Sequence, residues 1–218
     1  FAFAVEADQV VDQGMVSLSP QTWDKSFSDD ELVYTSKLVY RPSESVSTYV
    51  SFSHGYKAGG FNLDATAGIL GADPTFRAEL LDSFELGFKS ELLDNRLRLN
   101  VALFDMEMED FQILEFTGAA FKTFNVDKAV SKGFEIESLW APTDEFQMAA
   151  SWTRADARYP DDCDSDNPNA PASVKTLCGY ALTSAPKDSA SLSLTYNSLI
   201  DSADLAYSVS ISGQWQDD

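Results

Sequence analysis

The sequence predicts an all-β fold, an antiparallel transmembrane β-barrel wall of about eight strands, on three observations. Apolar and polar residues alternate with a period of two in successive segments. Short and long connections between those segments alternate strictly. Aromatic residues gather near the segment ends. A helix would bring apolar residues back at every third and fourth position, and these segments do not do so.

The segments follow in order. Leu32, Tyr34, Leu38 and Tyr40 share one face and Val33, Thr35, Lys37 and Arg41 the other. From Val46 to Lys57, Val46, Val50, Phe52 and Tyr56 oppose Ser47, Ser51, Ser53, Gly55 and Lys57. Phe84, Leu86, Phe88 and Leu92 alternate with Glu85, Gly87, Lys89 and Glu91. Leu97, Leu99, Val101 and Leu103 alternate with Arg96, Arg98, Asn100 and Ala102. Phe134, Ile136 and Trp140 oppose Glu135 and Glu137, and Phe146, Met148, Ala150 and Trp152 oppose Gln147, Ser151 and Thr153. Leu192, Leu194 and Tyr196 oppose Ser191, Ser193 and Thr195. Last, Leu205, Tyr207, Val209, Ile211 and Trp215 oppose Ala206, Ser208, Ser210, Ser212 and Gln214. Past Leu103 the parity changes, with Phe104, Met106 and Met108 now opposing Asp105, Glu107 and Glu109. Either a bulge re-phases the strand there or the chain has left the hydrocarbon zone.

Short turns are expected at Pro42–Ser45, Asp94–Asn95, Ala141–Glu145 and Ser198–Ala203, and long loops at Ala58–Asp82, roughly Gln112–Ser131, and Ala155–Lys187. Outer-membrane barrels have this asymmetry, so the short turns are assigned to the periplasm and the long loops to the outside. The leading stretch to Glu31 and the end near Asp218 then fall on the outer side. Several segments run about ten residues, the length a tilted strand needs to cross a bilayer. Tyr40, Trp140 and Tyr196 beside short turns, with Tyr56, Trp152 and Trp215 toward long loops, suit two interfacial girdles. A soluble carbohydrate-binding β-sandwich also alternates, and remains the rival outside the membrane class.

Composition narrows the function classes. Asp plus Glu number 35 against 15 Lys plus Arg, a net charge of −20, so no nucleic-acid partner is expected. No run approaches the roughly 20 apolar residues of a spanning helix. From Phe1 onward the sequence shows no basic n-region followed by an apolar h-region, so no signal peptide is visible in it. Cys163 and Cys178 are read as a disulfide or as two free thiols; export favours the bond, which would close a loop of ~15 residues.

Four stretches bring a family into view. Ser51-Phe-Ser-His-Gly-Tyr-Lys-Ala-Gly-Gly-Phe-Asn62 resembles the Gly-[Tyr/Phe]-Lys-x-Gly-Gly-Phe-Asn stretch of TonB-dependent receptor barrels. Leu80 to Lys89 (Leu-Leu-Asp-Ser-Phe-Glu-Leu-Gly-Phe-Lys) continues the likeness, as does Arg96 to Phe111, where Leu-Arg-Leu-Asn-Val-Ala-Leu-Phe leads to Asp-Phe. Lys132-Gly-Phe-Glu-Ile-Glu137 is similar to the family's Gly-Phe-Glu-x-Glu strand. Together they cover roughly Leu32 to Trp152, with the remainder similar by pattern alone. The resemblance implies a barrel of about 22 strands plugged by an N-terminal domain that engages TonB, itself coupled to ExbB and ExbD. Residues 1–218 would then be part of the barrel domain, an internal portion without plug or remaining strands. It further implies active uptake of a scarce nutrient, most often a ferric siderophore, across an outer membrane of lipid and lipopolysaccharide. A passive porin or structural barrel without energy coupling is the rival within the membrane class.

Candidate sites are few. Gly59-Gly60 is read as backbone permissiveness at a strand end, with a loop-positioning bend as the alternative. His54, the only histidine, is read as an interfacial residue because a metal usually needs several ligands. Asp162, Asp164 and Asp166 alternate as in a calcium loop, but Asn167 and Ser173 stand where that loop needs Gly and Glu. They are read as a solvated acidic loop, with cation capture as the minority option. Lys37, Lys57, Glu85, Lys89, Arg96, Arg98, Glu135 and Glu137 either line a polar path, pair with a plug, or satisfy one another in a wet interior. No nucleophile–base pair, phosphate loop or zinc spacing occurs, so neither catalysis nor a cofactor is expected.

Overall fold

The computed structural model describes Phe3–Ala4 and residues 26–62, 74–116, 121–163, 172–200 and 205–217. Eight long strands form one antiparallel sheet, each paired to its neighbour in sequence. They are β1 Tyr34–Ser43, β2 Val46–Lys57, β3 Glu79–Leu92, β4 Leu97–Phe116, β5 Phe121–Trp140, β6 Phe146–Arg158, β7 Asp188–Ile200 and β8 Leu205–Gln216. Two minor ladders, Phe3–Ala4 with Ser26–Phe27 and Gly60–Phe61 with Thr75–Phe76, lie outside the sheet. Ala172–Lys175 makes a single helical turn.

The short turns follow from their residues. Leu93, Asp94 and Asn95 take φ of 54°, 53° and 66°, a left-handed turn closed by Arg96 N donating to Leu93 O at 3.1 Å, with Asp and Asn the non-glycine residues that tolerate such φ best. Arg41-Pro42 marks the one register shift between β1 and β2, where proline's missing N–H costs no ladder bond.

The two faces separate chemically. Leu38, Leu86, Leu103, Trp152, Leu192, Val209, Ile211 and Trp215 are exposed on one face, and all six expected girdle aromatics lie there, exposed. Only five buried hydrophobic residues occur among those described, and none forms a second layer against this face. A sandwich would have covered it. From Leu205 to Trp215 is ten steps of ~3.3 Å; tilted at ~40°, the apolar strip stands ~25 Å tall, the height of an outer-membrane apolar band.

The expected loop between Gln112 and Ser131 is not a loop. β4 and β5 pair from Leu97↔Trp140 to Phe116↔Phe121, so the connection shrinks to 117–120 and the rest is a protruding hairpin. Alternation weakened there because the upper hairpin packs against neighbouring loops rather than lipid, so its apolar residues serve another core. The neighbouring loops also contract, to 58–78 and 159–187. No bulge explains the parity change at Leu103. The β3–β4 register runs unbroken from Leu80↔Glu109 to Leu92↔Leu97, and β4 has left the hydrocarbon instead.

Candidate functional site

Three groups of residues stand out: a charged ceiling on the apolar face, a polar opposite face, and a built structure at the long-loop end. On the apolar parity of each strand, the first charged or imidazole side chain toward the long loops is His54 on β2, Asp82 on β3, Asp105 on β4 and Lys132 on β5. Arg154 follows on β6, Asp188 on β7 and Asp217 just beyond β8. These groups pair along and across strands. His54 Nδ1 lies 2.6 Å from Asp82, Lys132 Nζ 3.1 Å from Asp105, Lys128 Nζ 2.6 Å from Glu107, Arg154 3.5 Å from Asp188 and Arg158 2.9 Å from Asp156. Charge in hydrocarbon is costly, so this line marks where the apolar layer ends. His54 accordingly sits at the boundary, stacked on Tyr34 with ring centroids 5.4 Å apart.

On the polar face Tyr49 is the centre. Its hydroxyl donates to Glu85 at 2.5 Å, and the Lys37 ammonium sits 3.6 Å above its ring centroid. The ring lies across Gly87, its direct cross-strand partner, where any Cβ would overlap it. The same device recurs one pair of strands on: Phe104 covers Gly133, whose Cβ would collide with both that ring and the Arg154 carbonyl. The expected polar charges mostly satisfy one another. Arg98 donates to Glu91 at 2.9 Å, Lys57 pairs with Glu79 at 3.4 Å, and Asn100 donates to Glu137 at 3.3 Å. Arg96 departs from expectation. It leaves this face and ties two short turns together through Asp144 and the Ala141 and Pro142 carbonyls. Near the short turns a cavity of about 410 Å³ is lined by Arg41, Glu44, Lys89, Glu91 and Arg98.

At the long-loop end, amide side chains lock residues 58–62 and 74–78 onto the hairpin. Asn62 Nδ2 donates to Thr123 O at 2.9 Å while Thr123 N donates back to Asn62 Oδ1 at 2.7 Å, so the side chain imitates a strand partner. Asn125 makes the reciprocal exchange with the Arg77 backbone and also donates to Asp110 O at 2.7 Å. Gln112 donates to the carbonyls of Ala58 and Arg77, each at 3.0 Å. Gly59 is required by crowding against backbone rather than by a left-handed conformation, which corrects the permissive reading there, while Gly60 is crowded only by the Phe76 ring. A Cβ on Gly59 would meet Phe76 O at 2.6 Å, and one on Gly60 the Phe76 ring at 2.9 Å; neither glycine has a positive φ.

Residues 159–163 and 174–182 pack back against the same hairpin. Phe124, Val126, Ala129, Tyr159 and Val174 form a buried cluster, with Met108, Phe111, Ile113 and Leu177 packed on it. Burial pushes the Tyr159 phenol up from its ordinary value. Cys163 and Cys178 are joined as a disulfide with Cα atoms 5.5 Å apart. Asp162 is exposed in the adjoining turn, while Asp164 and Asp166 lie outside the described residues. Sequence reasoning passed over Tyr49, Gln112 and Asn125. Tyr49 had a signal, a lone aromatic in a row of serines, whereas the two amides had none, because their partners are backbone atoms far away in sequence.

The family model "TonB dependent receptor-like, beta-barrel" matches residues 9–218. A probable TonB-dependent siderophore receptor, PiuA, of Acinetobacter baumannii is 26% identical over 79% of this chain and 23% of its own length. The pesticin receptor of Yersinia enterocolitica is 31% identical over 57% of this chain and 17% of its own. The chain thus spans under a quarter of the curated relatives it matches. Among solved structures, the ferric yersiniabactin uptake receptor FyuA of Yersinia pestis superposes with a TM-score of 0.66 at 18% identity, covering 88% of this chain and 31% of that one. The siderophore receptor PiuA of Acinetobacter baumannii gives 0.58 at 19% identity, covering 91% and 31%.

Proposed function

This chain belongs to the TonB-dependent-receptor-like β-barrel family, and from that premise we propose that it is part of the wall of a receptor that imports a ferric siderophore across the bacterial outer membrane. Residues 1–218 supply barrel wall, and a plug domain elsewhere in the receptor engages TonB, driven with ExbB and ExbD. The observation that carries the reading is the pairing of an exposed apolar face, cut off sharply by charge, with an opposite face of Ser, Thr, Glu and Lys. Such a wall needs lipid on one side and water on the other. It also needs further strands, because among the described residues β1 and β8 each have one neighbour and unpaired backbone in hydrocarbon costs several kcal/mol per group. The relatives named as siderophore receptors support the cargo class.

Radio-iron uptake tests it, in cells with and without the gene, across catecholate, hydroxamate and phenolate siderophores, cobalamin and haem as competitors. One ferric siderophore is expected to lose uptake on gene deletion and on TonB deletion alike. Gene-dependent uptake that persists without TonB would favour the passive pore. Uptake of every chelate independent of the gene would overturn the cargo assignment.

A further inference from the structure

Past Leu103 the acids of β4 take the apolar parity, and Phe104, Met106 and Met108 come to the polar face. The register sets what surrounds them. Met106 lies in a row with Ser83, Ser131 and Ala157, and Gly133 beneath the Phe104 ring pairs with Ala155. No member of this band is titratable. Toward the short turns the band ends at Glu85, which the Tyr49 hydroxyl engages. Toward the long loops it ends where Met108 and Ala129 join the cluster around Tyr159 and Val174. The two glycine-seated rings then differ. Tyr49 on Gly87 carries the Lys37 ammonium 3.6 Å above its centroid. Phe104 on Gly133 is half-buried, and among the described residues neither a cation nor a second ring meets it.

We propose that Phe104, with the Met106 thioether next along the same face, is the platform on which an aryl ring of the imported ferric chelate stacks. Position selects the occupant. The pair stands on the water side of the wall, level with the upper limit of the apolar layer and beneath the loop cluster that arriving cargo meets first. Chemistry selects its class. A ring offset over Phe104 gains quadrupole attraction beyond the area it buries, and a thioether sulfur adds a contact to the ring edge. An uncharged band offers no partner to a charged arm, whose desolvation there is costly, but it suits a planar apolar one. Catecholate and phenolate chelates carry such rings, and a tris-hydroxamate does not. The proposal rests on the uptake reading above and narrows its cargo to ring-bearing chelates.

The test uses the full-length receptor in detergent and measures dissociation constants for a radio-labelled ferric tris-catecholate, a ferric phenolate and a ferric tris-hydroxamate. The parent is expected to bind at least one ring-bearing chelate and to prefer it to the hydroxamate. Phe104→Leu should weaken that chelate roughly three- to ten-fold, the worth of one aromatic pair, and Phe104→Trp should retain it. Met106→Leu, close in volume, should lose about two-fold through the missing sulfur, and carries the comparison if Phe104→Leu does not fold. Hydroxamate binding should be the same in parent and variants. Equal affinity of parent and Phe104→Leu for the ring-bearing chelate would overturn the platform alone. So would an equal loss for all three chelates, which would mean that Phe104 seats another part of the receptor. A parent that prefers the hydroxamate would overturn the ring assignment. A parent that binds none of the three would overturn the uptake reading, and the platform with it.

Discussion

Two glycines show how a single missing Cβ shapes the polar face. Tyr49 over Gly87 and Phe104 over Gly133 are direct cross-strand pairs in which the ring fills the space a side chain would take and shields the ladder beneath it. Gly133→Ala should therefore cost about 1–3 kcal/mol through overpacking against backbone as well as ring. Gly55→Ala should be near neutral, because nothing lies within 4 Å of a Cβ there. The folded fraction in heat-modifiability gels checks both, and equal behaviour of the two variants would remove the crowding account. Asn62 gives a second residue-level case. Its carboxamide accepts from Thr123 N, so Asn62→Ala should make that amide exchange with deuterium roughly three- to ten-fold faster, the worth of one net hydrogen bond. Unchanged exchange at Thr123 would show the clamp to be idle. The sequence placed Asn62 inside a family-like stretch and said nothing of its work. Reciprocal bonding to a strand 61 residues away is a property of the fold, not of local spacing.

At the scale of elements, the β4–β5 hairpin gathers described segments of both flanking loops at the long-loop end. It receives the amide clamps from residues 58–62 and 74–78 on one side, and residues 159–163 and 174–182 through Phe111–Tyr159 contact and the Val126 cluster on the other. The periodicity read correctly up to Leu103, because lipid on one side and water on the other impose strict alternation. Beyond it the parity changes, and from Gln112 to Ser131, where Val126 and Asn125 pack on protein from either side, alternation lapses and the residues read as a loop. Cross-linking at Cys163–Cys178 adds a covalent restraint to a cluster with only five buried hydrophobic members. A small core gains most from such a restraint, about 3 kcal/mol for a loop of this size. Cys163→Ser/Cys178→Ser should thus expose Lys175 to trypsin at concentrations that leave the disulfide-bonded protein intact, while the eight-stranded sheet stays protected. Cleavage at Lys175 at the same rate in both forms would mean that the cluster holds the loop unaided.

Across the whole sheet, the girdles and the ceiling report one geometry. A hydrogen-bonded row runs Tyr40, Thr48, Phe88, Val101, Ile136, Trp152, Ala190, Trp215, from the short-turn girdle on β1 to the long-loop girdle on β8. Seven inter-strand steps of ~4.8 Å span ~34 Å, and a climb of ~25 Å over that distance needs a strand tilt near 45°. Individual segments could reveal girdle residues and parity, but the climb appears only when register joins them, which is why the sequence alone did not locate the ceiling. The same geometry makes opposite demands on adjacent residues. Leu194 is mid-strand in β7 on the apolar parity, and Thr195 beside it faces Ser210 across the polar side with hydroxyl oxygens 3.1 Å apart. Leu194→Arg places a guanidinium near the middle of the hydrocarbon and should cost about 2–4 kcal/mol, whereas Thr195→Arg puts the same group in water on the other side. In the full-length receptor, urea titration after refolding into lipid vesicles should show Leu194→Arg losing most of its folded population and Thr195→Arg keeping it. A soluble sheet with water on the apolar side would tolerate arginine at Leu194 at least as well as at Thr195. That reversal would refute the membrane-spanning assignment, since nothing but the solvent on each side distinguishes two neighbours on one strand.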